Sequence, residues 1–392
     1  MADKRNDGYC AGFSTYFDLL DDVEEMELNS RWHSGIAAEE LTLEAIYPVE
    51  AEETAYRYGL DPVLAMETAS ESGTQLVMTA AGRPFLVRDT ACASIQETAK
   101  LSGSALGRMN PASYSGVLNE GFRVARGTSL LLERYGKLSA CHSGAGSGYE
   151  VMPISSLLGV TVSECEARFG ELEFESGYNS HSFTEAWWTL PDAQGRLIDA
   201  YQRALDEAGV VSEYAVNFMP ALHFYSSDTA NSCATLTPVF LMDGNRTIQL
   251  VDGIKVKHTR KGQLNGLWGL PLYTELIRDI YARFEATAET IRRLAQITVY
   301  HPENCVISLC RRYNIPKRYG ESAREEVERY MCGSGTLCAH DVFLAMTVIT
   351  AVAKETGASK LTENNLEESL GKIGTLSDWS EHDVGGTVSW KD

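Results

Sequence analysis

The sequence predicts an α+β fold: an antiparallel sheet or meander packed by a long helix, with helical N- and C-terminal segments. Three observations carry this. Asp243-Gly244 and Asp252-Gly253 separate the apolar runs 236–242, 246–251 and 254–258, and Asp-Gly between apolar runs is the strongest short-range hairpin signal. Residues 271–298 then repeat Tyr273, Ile277, Ile280, Phe284, Ile291 and Leu294 at helical spacing behind Pro271, a residue suited to a first turn. Strands grouped ahead of appended helices indicate α+β rather than a doubly wound parallel sheet. With 392 residues, 44% hydrophobic and 22% charged, the chain can bury one large core or two modest ones.

In chain order, residues 1–35 read as an acidic helical arm. Phe13, Phe17, Leu20 and Val23 recur at helical spacing, and Asp21, Asp22, Glu24 and Glu25 face water. A second helical pattern covers 37–55, interrupted at Pro48. Strands at 75–79 and 84–88 flank the turn Ala80-Ala81-Gly82-Arg83, and helices follow at 91–101 and 114–126. Residues 129–134 and 137–142 form a hairpin about Tyr135-Gly136, ahead of a glycine-rich stretch at 143–148 and a helical segment near 162–169. A strand at 182–190 carries Trp187 and Trp188, a helix at 195–208 ends at Gly209, and 214–224 is strand-like. Past the long helix come helices at 303–313, 321–331, 341–355 and 363–370, the third apolar all round and so buried. The expected division is an acidic helical arm at 1–60, an α+β body at 61–300, a C-terminal helical segment at 301–374 and a loose tail at 375–392.

The net charge of −20 is unevenly spread. Residues 1–60 hold 14 Asp/Glu against 4 Lys/Arg, and 361–392 hold 7 against 2. Residues 251–320 run the other way, with 12 Lys/Arg against 6 Asp/Glu. An acidic head and tail thus flank one basic island, which excludes a wholly basic nucleic-acid platform and leaves room for a local stripe. In that island Lys255 and Lys257 alternate with Ile254, Val256 and His258, and Arg260 and Lys261 continue into a loop ending at Trp268. Arg311, Arg312, Lys317 and Arg318 follow, interleaved with Tyr313 and Tyr319. Cations for phosphates beside aromatic rings for bases are the components of a single-strand binding surface. Against this stands the ordinary reading of the same cations as solvated decoration, and of Trp187, Trp188 and Trp268 as core.

Nine cysteines lie at 10, 92, 141, 165, 233, 305, 310, 332 and 338, with no CxxC pair. The nearest approach to a metal cluster is His301, Cys305, Cys310, Cys332, Cys338 and His340. Its spacing matches no closed zinc site, so reduced core cysteines are expected, with no metal and no cofactor. The run Gly144-Ala145-Gly146-Ser147-Gly148 is not a dinucleotide fingerprint, because Pro153 interrupts the helix that should follow. Gly136-Lys137 and Gly371-Lys372 lack the rest of a phosphate loop, and no G-x-S-x-G or H-E-x-x-H occurs. Cys141 and His142 are neighbours on a strand and point to opposite faces. A composite enzyme site would need two or more of His142, His223, His258 and His301 in one concave pocket.

The order of segments resembles the phage/plasmid-like protein family of unknown function carried by prophages and conjugative elements. The likeness runs from "FLVRDTACASIQETAKLSG" through "GKLSACHSGAGSGYEVMPISSLL" and "NFMPALHFYSSDTANSCATLTPVFLMDGN" to "IKVKHTRKG", a long helix and "HDVFLAMTVITAVA", over roughly residues 74–356. Met242-Asp243-Gly244 stands where the family has Cys-Asn-Gly, and the late helix lacks the usual Trp. The resemblance implies a bacterial cytoplasm and a mobile-element setting, and no reaction. The expected function is therefore a non-enzymatic phage or mobile-element protein binding single-stranded nucleic acid, with Lys255, Lys257, His258, Arg260, Lys261, Arg311, Arg312, Lys317 and Arg318 at the interface. The alternatives are an acidic decoy that binds a host defence protein through both acidic ends, and an enzyme with a composite site. Homo-oligomers through the long helix are compatible with this. No membrane is expected, since the longest nearly charge-free apolar run, 342–353, is about half a bilayer span.

Overall fold

The computed structural model describes residues 3–143, 148–210, 218–229, 231–242, 246–260, 264, 266–331 and 336–390. The chain is mixed α+β, as its sequence predicts. It begins with β1 (Cys10–Phe13), α1 (Tyr16–Leu28), β2 (Ser30–Ala37), β3 (Leu41–Ala45), α2 (Ala51–Tyr58), α3 (Pro62–Ser70), β4 (Leu76–Ala80) and β5 (Arg83–Val87). Next come α4 (Cys92–Thr98), α5 (Pro111–Val124), β6 (Thr128–Arg134) and β7 (Lys137–Ser143). The middle of the chain runs through α6 (Ile154–Phe169), β8 (Glu173–Ser180), β9 (Thr184–Thr189), α7 (Gln194–Glu207), β10 (Met219–Ser226), β11 (Ala234–Met242), β12 (Arg246–Ile248) and β13 (Ile254–Val256). Helices then dominate: α8 (Gly269–Ile277), α9 (Ile280–Glu285), α10 (Thr287–Gln296), β14 (Thr298–Val299), α11 (Pro302–Arg312), α12 (Lys317–Met331), β15 (Leu337–Cys338), α13 (Ala339–Met346), α14 (Val348–Glu355) and α15 (Lys360–Gly374).

Two sheets organise these elements. The N-terminal sheet has the order β2-β6-β7-β5-β4-β3, antiparallel except for the β5–β7 pair. Alternation along its strands splits the apolar residues between two faces. Met78, Phe85 and Val87 meet Ile95, Leu118 and Phe122 of α4 and α5, while Val77 and Leu86 meet Ala55, Leu64 and Ala69 of α2 and α3. The β6–β7 hairpin closes on Tyr135 (φ 48°) and Gly136 (φ 79°), and two successive positive φ angles are what a two-residue turn needs to match strand twist.

The central sheet has the order β1-β8-β9-β10-β11-β12, with β13 also on β11. Strands β8 to β11 form an antiparallel meander. The pairing expected across Asp243-Gly244 is present, since β12 runs antiparallel to β11 from Met242↔Arg246 to Phe240↔Ile248. The second expected hairpin is not: β13 (Leu236↔Ile254) pairs with β11 rather than β12 and follows it along the same edge. Gly253 permits this, because a Cβ there would stand 2.5 Å from Thr237 Oγ1. One face of the sheet carries Trp188, Leu222, Phe224, Leu236 and Phe240 into the main core with α6 to α10, and the other carries Trp187, Ala221 and Val239.

Several expectations change in the folded chain. The predicted long helix is three, α8 to α10, yet Tyr273, Ile277, Ile280, Phe284, Ile291 and Leu294 are all buried. A straight 28-residue helix would run about 42 Å, and the turns at Arg278-Asp279 and at Ala286 keep its apolar stripe on the core. Segment 41–45 is strand β3 rather than helix, because Leu41 and Leu43 alternate inward beside β4. The first 60 residues are no separate arm: β1 pairs with β8, β2 with β6 and β3 with β4. α1 buries Leu19, Val23 and Met26 and leaves Phe17 exposed. Asp7 pins the segment before β1 by meeting Lys137 Nζ (2.9 Å) and Arg88 Nε (3.2 Å), both fully buried. The tail is packed rather than loose. Trp379 is buried, and Asp383 accepts from the backbone N–H groups of Tyr300 (2.8 Å) and His301 (2.7 Å). Among the described residues, no helix is long and apolar enough to cross a membrane.

Candidate functional site

The basic island is a set of paired cations rather than an open stripe. Lys255 points outward from β13, as alternation predicts, and meets Glu368 at 2.7 Å. Arg260 meets Glu150 at 2.7 Å, and Lys317 meets Glu321 at 3.6 Å. Arg311 donates to the Ser389 carbonyl (3.3 Å), and Arg318 donates to the Tyr319 hydroxyl (2.6 Å) while covering that ring. Tyr319 is buried and Arg312 is exposed. Lys257 is exposed with no ion-pair partner among the described residues, and Lys261 lies outside them. The two basic stretches approach the same helix: Glu368 of α15 takes Lys255, and Ser369 Oγ donates to the Tyr313 carbonyl (3.3 Å). Exposed pairs of this kind are worth about 0–1 kcal/mol each, so a phosphate can compete for the cation.

His258 leads to a different arrangement, which joins the two sheets. Past β7 the chain returns at Gly148 to Glu150 and runs antiparallel to the segment after β13, with Tyr149 bridging Thr259. The Glu150 N–H donates to the His258 carbonyl (3.2 Å) and the Arg260 N–H to the Gly148 carbonyl (3.1 Å). This sets four rings in a ladder. His142 stacks on Tyr149 (centroids 4.1 Å, 19°) and Tyr149 on His258 (5.5 Å, 20°), while Trp32 of β2 covers His142 (6.0 Å) and Tyr149 (5.8 Å). Behind them the Asp228 carbonyl accepts from His142 Nε2 (2.8 Å) and the Tyr149 hydroxyl (3.4 Å). The Asp228 carboxylate meets Arg134 at 2.6 Å, and Arg134 also donates to the His181 carbonyl (3.0 Å). Both ring nitrogens of His258 and Asp228 Oδ1 are enclosed without a hydrogen-bond partner. Such groups are expensive to leave unmatched and mark a place where a ligand or water can bond. Lys257 and Arg260 flank His258 in sequence and are exposed.

Burial pushes His142 down to about 4 and lowers His258, so both rings are neutral near pH 7. The unfolded chain therefore takes up a proton at residue 142 near pH 6.5 that the folded chain refuses until about 4. Stability should fall by about 2–3 kcal/mol between pH 6.5 and 4.5 from this ring alone. Denaturant unfolding at the two pH values tests this, and His142→Gln should lose correspondingly less on acidification.

The remaining histidines separate. His223 is sealed under α15 between Glu185 (2.8 Å) and Glu367 (3.0 Å) and stacks on Trp187 at 3.7 Å. His301 is exposed at the start of α11, beside Asp383 and Gly385 of the tail. A shallow cavity of about 600 Å³ by α3 is lined by Asp3, Glu52, Glu67 and Glu71 with Val63 and Met66, and contains none of the four histidines. The Cys/His cluster also disperses: Cys305 and Cys310 are buried in α11, where burial pushes both thiols up to about 12, and Cys332 lies outside the described residues. Cys338 and His340 do come together, with Asp341. Sequence reasoning named His142 and His258 but not Trp32 or Tyr149, which no local pattern marks.

Comparison of the chain with protein-family models, with curated proteins and with solved structures gives no match.

Proposed function

We propose that the protein acts in nucleic-acid transactions of a phage or mobile element by binding single strands, without catalysis of its own. The observation that carries the binding is the Trp32–His142–Tyr149–His258 ladder, with orphaned hydrogen-bonding atoms on His258 and exposed cations at Lys257 and Arg260. His142 is buried within the stack, so the part-exposed rings of Trp32, Tyr149 and His258 are those a base would reach. Rings beside phosphate-binding cations are the chemistry that single strands require. His258 serves as a stacking ring, Lys257, Arg260 and Lys261 as phosphate contacts, and Lys255, Arg311, Arg312, Lys317 and Arg318 as a secondary track whose present partners a phosphate would displace. The mobile-element setting draws only on the resemblance in segment order.

Fluorescence-anisotropy titration of labelled single- and double-stranded oligonucleotides, at low and physiological salt, tests the proposal. Single strands should bind more tightly than duplex. Trp32→Ala should weaken binding by about 1–3 kcal/mol, and Lys257→Gln and Arg260→Gln should each reduce the salt slope by about 0.7. Affinity that is absent at low salt, or insensitive to salt, would contradict the proposal. A second reading, an acidic decoy for a basic host protein, draws on the acidic cavity by α3. It predicts no oligonucleotide binding, but capture of an Arg-rich peptide that Glu52→Lys with Glu71→Lys abolishes. Because residues 1–60 build both sheets, charge substitution rather than truncation is the valid test of either reading.

A further inference from the structure

At the start of α13, Cys338, His340 and Asp341 offer three ligand atoms that all lie within 4.8 Å of one another. Backbone pairing fixes their place. Cys338 of β15 is opposite Thr298 of β14, and the Ala339 N–H donates to the Ile297 carbonyl (2.8 Å), so the helix begins at a defined point. His340 is fully buried, with Nε2 2.7 Å from the Tyr201 hydroxyl of α7. Its Nδ1 is enclosed without a hydrogen-bond partner, 3.5 Å from the Asp341 carboxylate. An imidazole that donates Nε2–H to Tyr201 keeps its lone pair on Nδ1, facing the thiol and the carboxylate. That is the tautomer of an Nδ1 metal ligand, and Tyr201 occupies the outer position that commonly orients metal-bound imidazoles.

We infer that Cys338, His340 and Asp341 form a zinc site. Thiolate, imidazole and carboxylate together suit Zn²⁺, whereas Mg²⁺ and Ca²⁺ take oxygen ligands alone. Tetrahedral bonds of about 2.0–2.3 Å put ligand atoms about 3.5 Å apart, so turning the Cys338 and Asp341 side chains closes the set without moving the helix. Thiolate and carboxylate neutralise the dication, as a desolvated site needs. Cys338 and Asp341 are half-buried while His340 is sealed, so the ion enters from the side of the first two. Three protein ligands leave the fourth position for water. The bound ion would tie β15 and α13 to α7 through Tyr201.

The test uses the full chain, stripped with a chelator and titrated with Co²⁺. One equivalent should bind, with thiolate-to-cobalt charge-transfer absorption and the strong visible bands of a tetrahedral site, both removed by Zn²⁺. Cys338→Ser should abolish the charge-transfer band. Tyr201→Phe should weaken Co²⁺ binding by about 10- to 100-fold with the bands retained, and Cys10→Ser, an exposed thiol elsewhere, should change nothing. No charge-transfer band in the unaltered chain, or a band that survives in Cys338→Ser, would overturn the inference.

Discussion

Glu367→Ala is expected to lower the unfolding free energy by about 3–5 kcal/mol, because it leaves a buried charge with half its partners. Glu367 meets His223 Nδ1 (3.0 Å) and Lys354 (3.7 Å) and accepts from Thr247 (3.3 Å). On the far side Glu185 takes His223 Nε2 (2.8 Å), Trp187 Nε1 (2.9 Å) and Lys360 (3.4 Å). Burial opposes every charge in this group, and the pairing outweighs it. Glu185 is held down at about 2, Glu367 is lowered, and His223 is raised above its ordinary 6.5. The signs define a window. The two carboxylates contribute stability above their ordinary 4.5, lost as pH falls toward 2. His223 contributes at and below 6.5, and its share is lost as pH rises through its raised value. The difference between unaltered chain and variant in denaturant unfolding should therefore be largest between about pH 4.5 and 6.5. A difference below about 1 kcal/mol there would mean that the network contributes little beyond ordinary surface pairing.

The second large effect concerns the junction of the sheets. Asp228→Ala should also destabilise by about 3–5 kcal/mol, since it strands Arg134 at 3% exposure with only the His181 carbonyl and Ser30 hydroxyl for company. Arg134 ends β6 of the N-terminal sheet, and Asp228 follows β10 of the central sheet, so their bond is a clamp between the two. Arg134→Leu should cost a similar amount. The pair of changes together should cost clearly less than their sum, because apolar groups in place of both charges remove the desolvation penalty with the bond. Strict additivity in this double-mutant cycle would show that the two residues act independently.

Much of the local structure was legible. The hairpin at Tyr135-Gly136, the β4–β5 pair and helices α5 and α7 follow from turn residues and apolar period. The stripe of the predicted long helix is buried although the helix itself is broken, because spacing reports which side chains face the core and says little about where the backbone bends. Strand β3 was hidden, since Leu41 and Leu43 supply too short an alternation to outweigh the helix-forming Ala and Glu beside them. The order of β12 and β13 on one edge depends on Gly253 fitting against Thr237, a contact with no local signature. The ladder was half visible: histidines draw attention anywhere, whereas Trp32 and Tyr149 matter only because β2 and the bridge to Thr259 bring them together. Glu185, His223 and Glu367 likewise come from three elements, and only the packing of α15 on the sheet joins them.

The most direct test of the proposed function is to photocrosslink a bound single-stranded oligonucleotide with ultraviolet light and map the modified peptides by mass spectrometry. The ladder predicts adducts on peptides containing Trp32, Tyr149 or His258, lost when Trp32→Ala is combined with Tyr149→Leu. Adducts confined to the 311–319 stretch, or none at saturating oligonucleotide, would contradict it.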